Sequence, residues 1–214
     1  MIRFIRANDL PKYPLLESTM FRDRAAQFHD RLGWDVRVDE QGWEKDQYDV
    51  LNPLYVICES PLGGHLGSMR FLPTTGRTMI REHFSHMMDG RDIRDPKIWE
   101  CTRFCLAPNA ESRVAGRLMS AGGEILRGFG LEGFAGVFDE RMVRIYRRIG
   151  SGPEVLGQSG TGTARISIGA WRFADDARAR VARRSGISVP LVEHWFKCRF
   201  NLPAVDPFSG AAAL

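Results

Sequence analysis

The order of strand-like and helix-like runs along this chain leaves few architectures open. PLYVICES (53–60) and HLGSMRFLP (65–73) are apolar and aromatic runs either side of Gly63-Gly64, and they read as a hairpin. MIREHFSHMM (79–88) reads as a short helix and WECTRFCL (99–106) as the next strand. After that the types alternate: a helix over 111–128, the strand GFAGVF (133–138), the helix DERMVRIYRRI ended by Gly150, strands in EVLGQ and GTARISIGAWRF, then helices in DDARARVARRSG and PLVEHWFK. Upstream, Phe21, Ala25, Phe28 and Leu32 share one face of a helix over 18–32 that Gly33 stops. Strands in a hairpin first, then strands alternating with helices, predict an α/β fold: a mixed sheet covered by helices on both faces, an α/β/α sandwich in one domain. That domain is expected over 1–208, with a poorly ordered tail over 209–214.

The chain has 214 residues, enough to bury a core without staples. No run approaches the roughly 18 apolar residues that span a bilayer, so no membrane insertion is expected. The opening MIRFIRANDL lacks an apolar stretch of secretory length, so no export is expected either. Cys58, Cys101, Cys105 and Cys198 form no CxxC pair, and Cys101 and Cys105 would lie about 13 Å apart on a strand, too far for a disulfide. They read as free, mostly buried thiols of a reducing cytoplasm. The net charge of +4 sits in the second half: from residue 108 onward there are 15 Lys and Arg against 10 Asp and Glu, whereas the first 107 residues hold 15 against 16. Such a surplus suits an acidic partner on that half, or serves solubility alone.

Three groups of residues carry candidate chemistry. Glu100 and Arg103 are opposite charges in an otherwise apolar strand. Simple alternation puts Glu100, Thr102 and Phe104 on one face and Cys101, Arg103 and Cys105 on the other, so only a bulge or a strand end brings the two charges to one opening. Otherwise they are ordinary strand-end charges. Arg24, Phe28 and Trp34, followed by EKDQYD with Asp46 and Asp49, put aromatic faces beside carboxylates, which suits a ligand carrying positive charge. They equally suit a helix anchored by core aromatics before a solvated acidic loop. Arg70, in a strand pattern before a proline, can clamp a carboxylate bidentately or close a structural ion pair.

In order, Arg24-x3-Phe28-x5-Trp34, the DQYD of Asp46 to Asp49, Arg70 in RFLPT, Phe84 and the WExxRF of Trp99 to Phe104 resemble the acyl-homoserine lactone synthases, the LuxI-type autoinducer synthases of quorum sensing. The resemblance is strong over roughly residues 20 to 108 and weaker through the helix ending at Gly150. It implies a fold akin to the GNAT acyltransferases and an enzyme, an acyltransferase. Such an enzyme joins an acyl group from acyl carrier protein, or from coenzyme A, to S-adenosylmethionine, then closes a lactone and releases methylthioadenosine. S-adenosylmethionine is then a substrate, and no cofactor is expected. By match to the motif, Arg24, Phe28, Trp34, Asp46, Asp49, Arg70, Phe84 and Phe104 are expected in the S-adenosylmethionine pocket and its supporting network. Arg103 is expected to hold the substrate carboxylate or order the pocket, and Glu100 to be the base-side carboxylate. Gly136 and Phe138 are expected to line the acyl pocket, and Arg144, Arg147 and Arg148 to dock the acidic carrier. No hydroxyl side chain stands on GFAGVF, which leans away from a 3-oxo product.

Two other readings compete. A GNAT N-acyltransferase using acyl-CoA needs a Q/R-x-x-G-x-G/A loop for phosphates; the nearest match, Arg113 to Leu118, ends in a leucine that crowds it. A nucleic-acid module is permitted by the pI of about 9.1, but no helix-turn-helix or RNP-type signature is present. No nucleic-acid partner is therefore expected.

Overall fold

A computed structural model describes residues 1–201; the expected tail over 209–214 lies outside them. Seven strands form one sheet in the order β1-β2-β3-β4-β5-β7-β6. They are β1 (Ile2–Arg6), β2 (Leu54–Glu59), β3 (His65–Pro73), β4 (Ile98–Leu106), β5 (Gly133–Asp139), β6 (Glu154–Ser159) and β7 (Ile166–Arg172). All neighbours are antiparallel except β4 and β5. The helices are α1 (Pro14–Ala25), α2 (Met79–His83), α3 (Arg113–Gly128), α4 (Glu140–Ile149), α5 (Asp175–Ser185) and α6 (Val189–Phe200). The parallel β4–β5 pair needs a crossover, and α3 supplies it.

Helices cover both faces, as the alternation of elements predicts. On one face, Ile2, Phe4, Leu54, Val56, Met69, Phe71 and Trp99 of the sheet pack against Val114, Leu118, Ala121 and Ile125 of α3 and Val192 and Phe196 of α6. On the other, Ile5, Tyr55 and Ile57 meet Leu16, Met20 and Phe21 of α1. Burial of side chains of this size contributes about 1.5–3 kcal/mol each.

Three elements differ from expectation. β1 lies in a stretch with no expected strand: Ile2 and Phe4 face α3 and α6 while Ile5 faces α1, so a short strand buried on both sides hides its alternation. The first helix begins at Pro14, whose ring suits the opening turn, and ends at Ala25; residues 26–31 continue it as a wider π-helical turn. Gly33, at φ +64°, then lets Trp34 N–H return to the Phe28 carbonyl at 2.9 Å. The helix expected over 79–88 closes early, at His83, and a short 3-10 turn follows over Ser85–Met87. Among the described residues no helix is long and apolar enough to cross a membrane. Cys58 and Cys105 are buried, Cys101 is half-buried, Cys198 is exposed, and all four are free thiols.

Candidate active site

Where β4 meets β3 the register slips: Ser68 pairs with Cys105 but Arg70 pairs with Thr102, so β4 carries one extra residue. Arg103 takes it up with a left-handed backbone, φ +51°, at a cost of order 1 kcal/mol for a residue with a side chain. The bulge resets the alternation. Thr102 accepts a bond from Arg70 Nε at 2.9 Å, and its neighbour Arg103 reaches Glu44 on the same side. Phe104 then turns back to the α3 face, where Cys101 also lies. The simple two-face assignment of this strand is therefore corrected beyond Thr102: Arg103 and Cys105 share the face of Glu100, and Phe104 leaves it.

On the α1 face the bulge assembles a ring of charge. Arg24 donates to Glu44 at 2.6 Å and to both oxygens of Asp49 at 3.1 and 3.0 Å. Arg70 holds Asp46 at 2.5 and 2.9 Å and Asp49 at 2.7 Å. Arg103 closes the ring on Glu44 at 2.9 Å and on Asp46 at 2.8 Å. Three guanidiniums thus balance three carboxylates, and Arg24, Arg70 and Glu44 are fully buried. Burial alone would raise the Asp49 and Asp46 pKa values, but the neighbouring arginines hold both carboxyls below their usual range. Burial likewise works against Arg24 and Arg70, and their carboxylates more than restore the charge. Tyr55 donates its hydroxyl to Asp49 and is pushed up in pKa by burial and by that carboxylate.

Glu100 is elsewhere on this face. It is fully buried, and its two oxygens accept the backbone N–H groups of Met79 at 2.9 Å and Ile80 at 2.6 Å. Burial raises its pKa and those two bonds oppose the rise. Its carboxylate therefore ties down the start of α2. Met79, His83 and Phe84 beyond it line an open cleft of about 1240 Å³.

That cleft also takes in Trp34, Asp46, Tyr48 and Arg103. Trp34 is 45% exposed and stacks on buried Phe28, with ring centroids 5.1 Å apart and planes 14° off parallel. The Arg103 guanidinium lies 5.3 Å from the Phe28 centroid on its way to the ring. Trp34, Asp46, Phe84 and Arg103 thus come together at one wall, while Arg24, Phe28, Asp49 and Arg70 stand behind it as support.

Through the sheet lies a second, inner cavity of about 80 Å³, lined by Met69, Phe71, Cys101, Phe134, Gly136 and Trp171 among others. Phe104, expected beside the first pocket, lines this one because the bulge turned it round. Gly136 lines this cavity too, and a side chain there would stand 2.8 Å from the Cys101 carbonyl oxygen. Phe138 corrects its expectation: it lines the open cleft, and its ring meets Tyr146 and Trp171, which wall the inner cavity, edge-on at 5.6 Å. The two spaces approach each other where β4 and β5, which pair at only three positions, Ile98↔Gly133 to Glu100↔Ala135, cease to pair. Arg103 and Val137, just past the parting, line both.

Arg144, Arg147 and Arg148 are exposed on α4, and among the described residues none has a carboxylate within ion-pair range. Arg184 of α5 caps the end of that helix through the Arg147 and Arg148 carbonyls at 3.1 and 2.8 Å.

The family model described as autoinducer synthase matches residues 12–183. An acyl-homoserine-lactone synthase of Rhizobium etli is 44% identical over 174 residues, which is 78% of this chain and 82% of the relative. The chain belongs to the autoinducer synthase family. It is accordingly an acyltransferase of quorum-sensing signal synthesis. A CoA-dependent acyl-homoserine lactone synthase, BjaI, solved with SAM and isopentyl-CoA, superposes at TM-score 0.77 over 88% of this chain and 91% of its own, at 23% identity. A putative N-acetyltransferase from Lactobacillus plantarum shares the layer order at TM-score 0.55 and 15% identity, over 81% of this chain and 98% of its own. The synthase fold is thus GNAT-like.

Sequence reasoning missed Glu44, Tyr55 and Thr102, which complete the family member's charge ring. Glu44 had a visible signal: it stands two residues before Asp46, so in an extended segment both point the same way. Tyr55 and Thr102 had none, because only the register of β2, β3 and β4 brings them under Arg70.

Proposed function

We propose that the open cleft binds S-adenosylmethionine, that the inner cavity takes the acyl chain of a thioester, and that the two react at the split between β4 and β5. The observation that carries this is geometric: two recesses of different character, on opposite faces of the sheet, share Arg103 and Val137 at the parting. Cleft carboxylates suit the ammonium and sulfonium of one substrate, exposed Trp34 and half-buried Phe84 suit its adenine, and Arg103 suits its carboxylate. Apolar walls suit the tail of the other. The solved relative BjaI is described with SAM and an acyl-CoA, which supports the same pairing here.

The amine must lose a proton before it attacks the thioester carbon. Glu100 is sealed against two backbone N–H groups and lines neither space, so its role in this reading is to position α2. Asp46 is the carboxylate of the charge ring's outer edge that lines the cleft beside Arg103. Burial works to raise its pKa, Arg70 and Arg103 keep it low, and it therefore stays ionised and orients the amine by accepting its hydrogen bond while water takes the proton. Backbone N–H groups of β4 and β5 past Glu100 and Ala135, unpaired between the two strands, face the split and stabilise the tetrahedral oxyanion. The thiol then leaves. The substrate's carboxylate next attacks the carbon bonded to sulfur; a C–O bond closes the lactone as the C–S bond breaks, and methylthioadenosine departs. This step is intramolecular, so holding the chain curled supplies much of its rate.

The acyl donor in this reading is acyl carrier protein, whose acidic surface suits the unpartnered arginines of α4, or coenzyme A, whose phosphates suit them too. Free buried thiols support a cytoplasmic enzyme. No resident cofactor is needed, since S-adenosylmethionine is consumed. Purified protein given S-adenosylmethionine and acyl thioesters is expected to yield lactone and methylthioadenosine in equal amounts. Acylation of a simple amine with S-adenosylmethionine left intact would return the N-acyltransferase reading.

A further inference from the structure

The inner cavity is walled mostly by apolar side chains, and Arg178 is a polar lining that the proposed chemistry does not use. Arg178 of α5 lines it opposite Gly123 of α3, where a side chain on Gly123 would stand 3.7 Å from the Arg178 Cγ. Arg178 is anchored by Glu124, a fully buried carboxylate in the middle of α3. Glu124 also receives Arg127 at 2.6 Å, and Glu193 of α6 lies 3.2 Å from Arg127, 3.8 Å from Arg178 and 2.7 Å from Lys197. Within this cluster three cations are ion-paired with two carboxylates, and Asp175 of α5 also lies near Arg127.

Burying such a pair beside an apolar tail is costly, and replacing buried ion pairs by apolar residues is often neutral or stabilising. A cavity meant for plain hydrocarbon gains nothing from it. Position gives the pair a meaning. Gly122, next to Gly123, sits against Phe134, with a would-be Cβ 3.2 Å from its ring. Phe134 belongs to the part of β5 still paired to β4, below the split at Arg103 and Val137 where the thioester would react. Arg178 therefore stands at the end of the cavity away from the reacting carbonyl. Of the other polar linings, Thr102 and Arg103 are tied to the charge ring, the Tyr146 ring packs edge-on against Phe138 and Trp171, Arg172 faces solvent and lies 3.5 Å from Glu154, and the Ser151 carbonyl is taken by the Trp171 indole at 3.1 Å.

We infer that Arg178, held by Glu124, receives an oxygen carried on the distal part of the acyl chain, so that the natural donor is an ω-oxygenated acyl thioester. This rests on the assignment of the inner cavity to the acyl group. The shared chemistry is an acceptor oxygen, from a hydroxyl or a carboxylate, and it is distinct from substitution at the 3-position, which would lie near the split. A hydrogen bond from a charged donor in such a setting is worth about 1.5–3 kcal/mol, or roughly tenfold to a hundredfold in kcat/KM.

The test offers the full-length enzyme S-adenosylmethionine with matched straight-chain thioesters that are plain, ω-hydroxylated or ω-carboxylated. The wild type is expected to favour one oxygenated series over the plain one by about tenfold or more, and which series it favours identifies the oxygen. Arg178→Met is expected to erase that preference, read as the ratio of kcat/KM for oxygenated to plain donors of the same length, with the KM for S-adenosylmethionine within about twofold. Arg178→Lys, which keeps the charge and loses the fork, should keep part of it and serves if the methionine variant does not fold. Equal use of all three series by the wild type, or preference for the plain one, overturns the inference and leaves the synthase reading intact. Failure of every donor to give lactone overturns both.

Discussion

The two faces of the sheet at Arg103 are built by opposite physical means. On the α1 face, three guanidiniums and three carboxylates lock one another at hydrogen-bond distance, mostly out of water. On the α3 face, a small apolar space is defined by volume, with glycines where the walls come closest. The first arrangement has one good geometry; the second tolerates a range of shapes and sorts them by fit. Damage to the ring should therefore be abrupt and general, and damage to the cavity graded and selective.

The largest expected effect follows from removing the ring's centre. Arg70→Met leaves Asp46 and Asp49 without their main partner and should cost about 3–5 kcal/mol in denaturant unfolding, together with most synthase activity. A loss under about 1 kcal/mol would mean that the ring is not a structural unit. Arg103→Lys is subtler. It keeps the charge but not the two-pronged grip, and should lower kcat/KM for S-adenosylmethionine by about tenfold to a hundredfold with a clearly smaller loss of stability than Arg70→Met. An equal loss of stability would make Arg103 merely another strut.

Across the sheet the response should change in kind. Gly122→Val pushes into Phe134 and should lower kcat/KM for long acyl donors by about tenfold or more, with short donors and S-adenosylmethionine little affected. Loss of all donors alike would break the contrast between the faces. Reversing charge with Arg147→Glu and Arg148→Glu should raise the KM for an acyl-carrier donor several-fold, more at low salt than at high, with free S-adenosylmethionine unaffected. An unchanged KM would remove α4 from docking.

The smallest effect is in pH. His65 is buried between Asp23 at 2.7 Å and Ser68 at 3.0 Å, with Arg24 nearby. Burial is the main cause of its lowered pKa; Arg24 adds to it and Asp23 opposes. A folded pKa below the unfolded value of about 6.5 gives stability that is complete above about pH 6.5 and is lost as pH falls toward the folded pKa. His65→Gln should flatten that slope, by at most about 1.4 kcal/mol per pH unit. Glu100 has the opposite sign: its raised pKa costs stability as pH rises through 4.5 toward the folded value.

The layer order was readable because it depends on local periodicity, and most helices and strands fall where their apolar spacing put them. β1 escaped because burial on both faces removes the contrast that alternation relies on. The members of the charge ring were named from motif spacing, yet their partners were not, since Arg24 reaches Glu44 only after α1 and the 32–47 segment have folded together. Glu100 shows the limit most clearly. Its residue type and its neighbour Arg103 suggested proton transfer, whereas it is fully buried and each of its oxygens accepts a backbone N–H from the start of α2. The bulge was foreseen only as one way to reconcile the two charges. Which side chain it would turn round, Phe104, depended on where the extra residue sat.

Only three residue pairs stitch β4 to β5, and that short seam is the whole strand pairing between a four-strand half-sheet and a three-strand one. A molecule that needs an aperture at its middle has placed it where its own fabric is thinnest. Amides along the seam should be among the first in either half to exchange with solvent, and reagents that wedge the halves apart should stop turnover before they unfold anything.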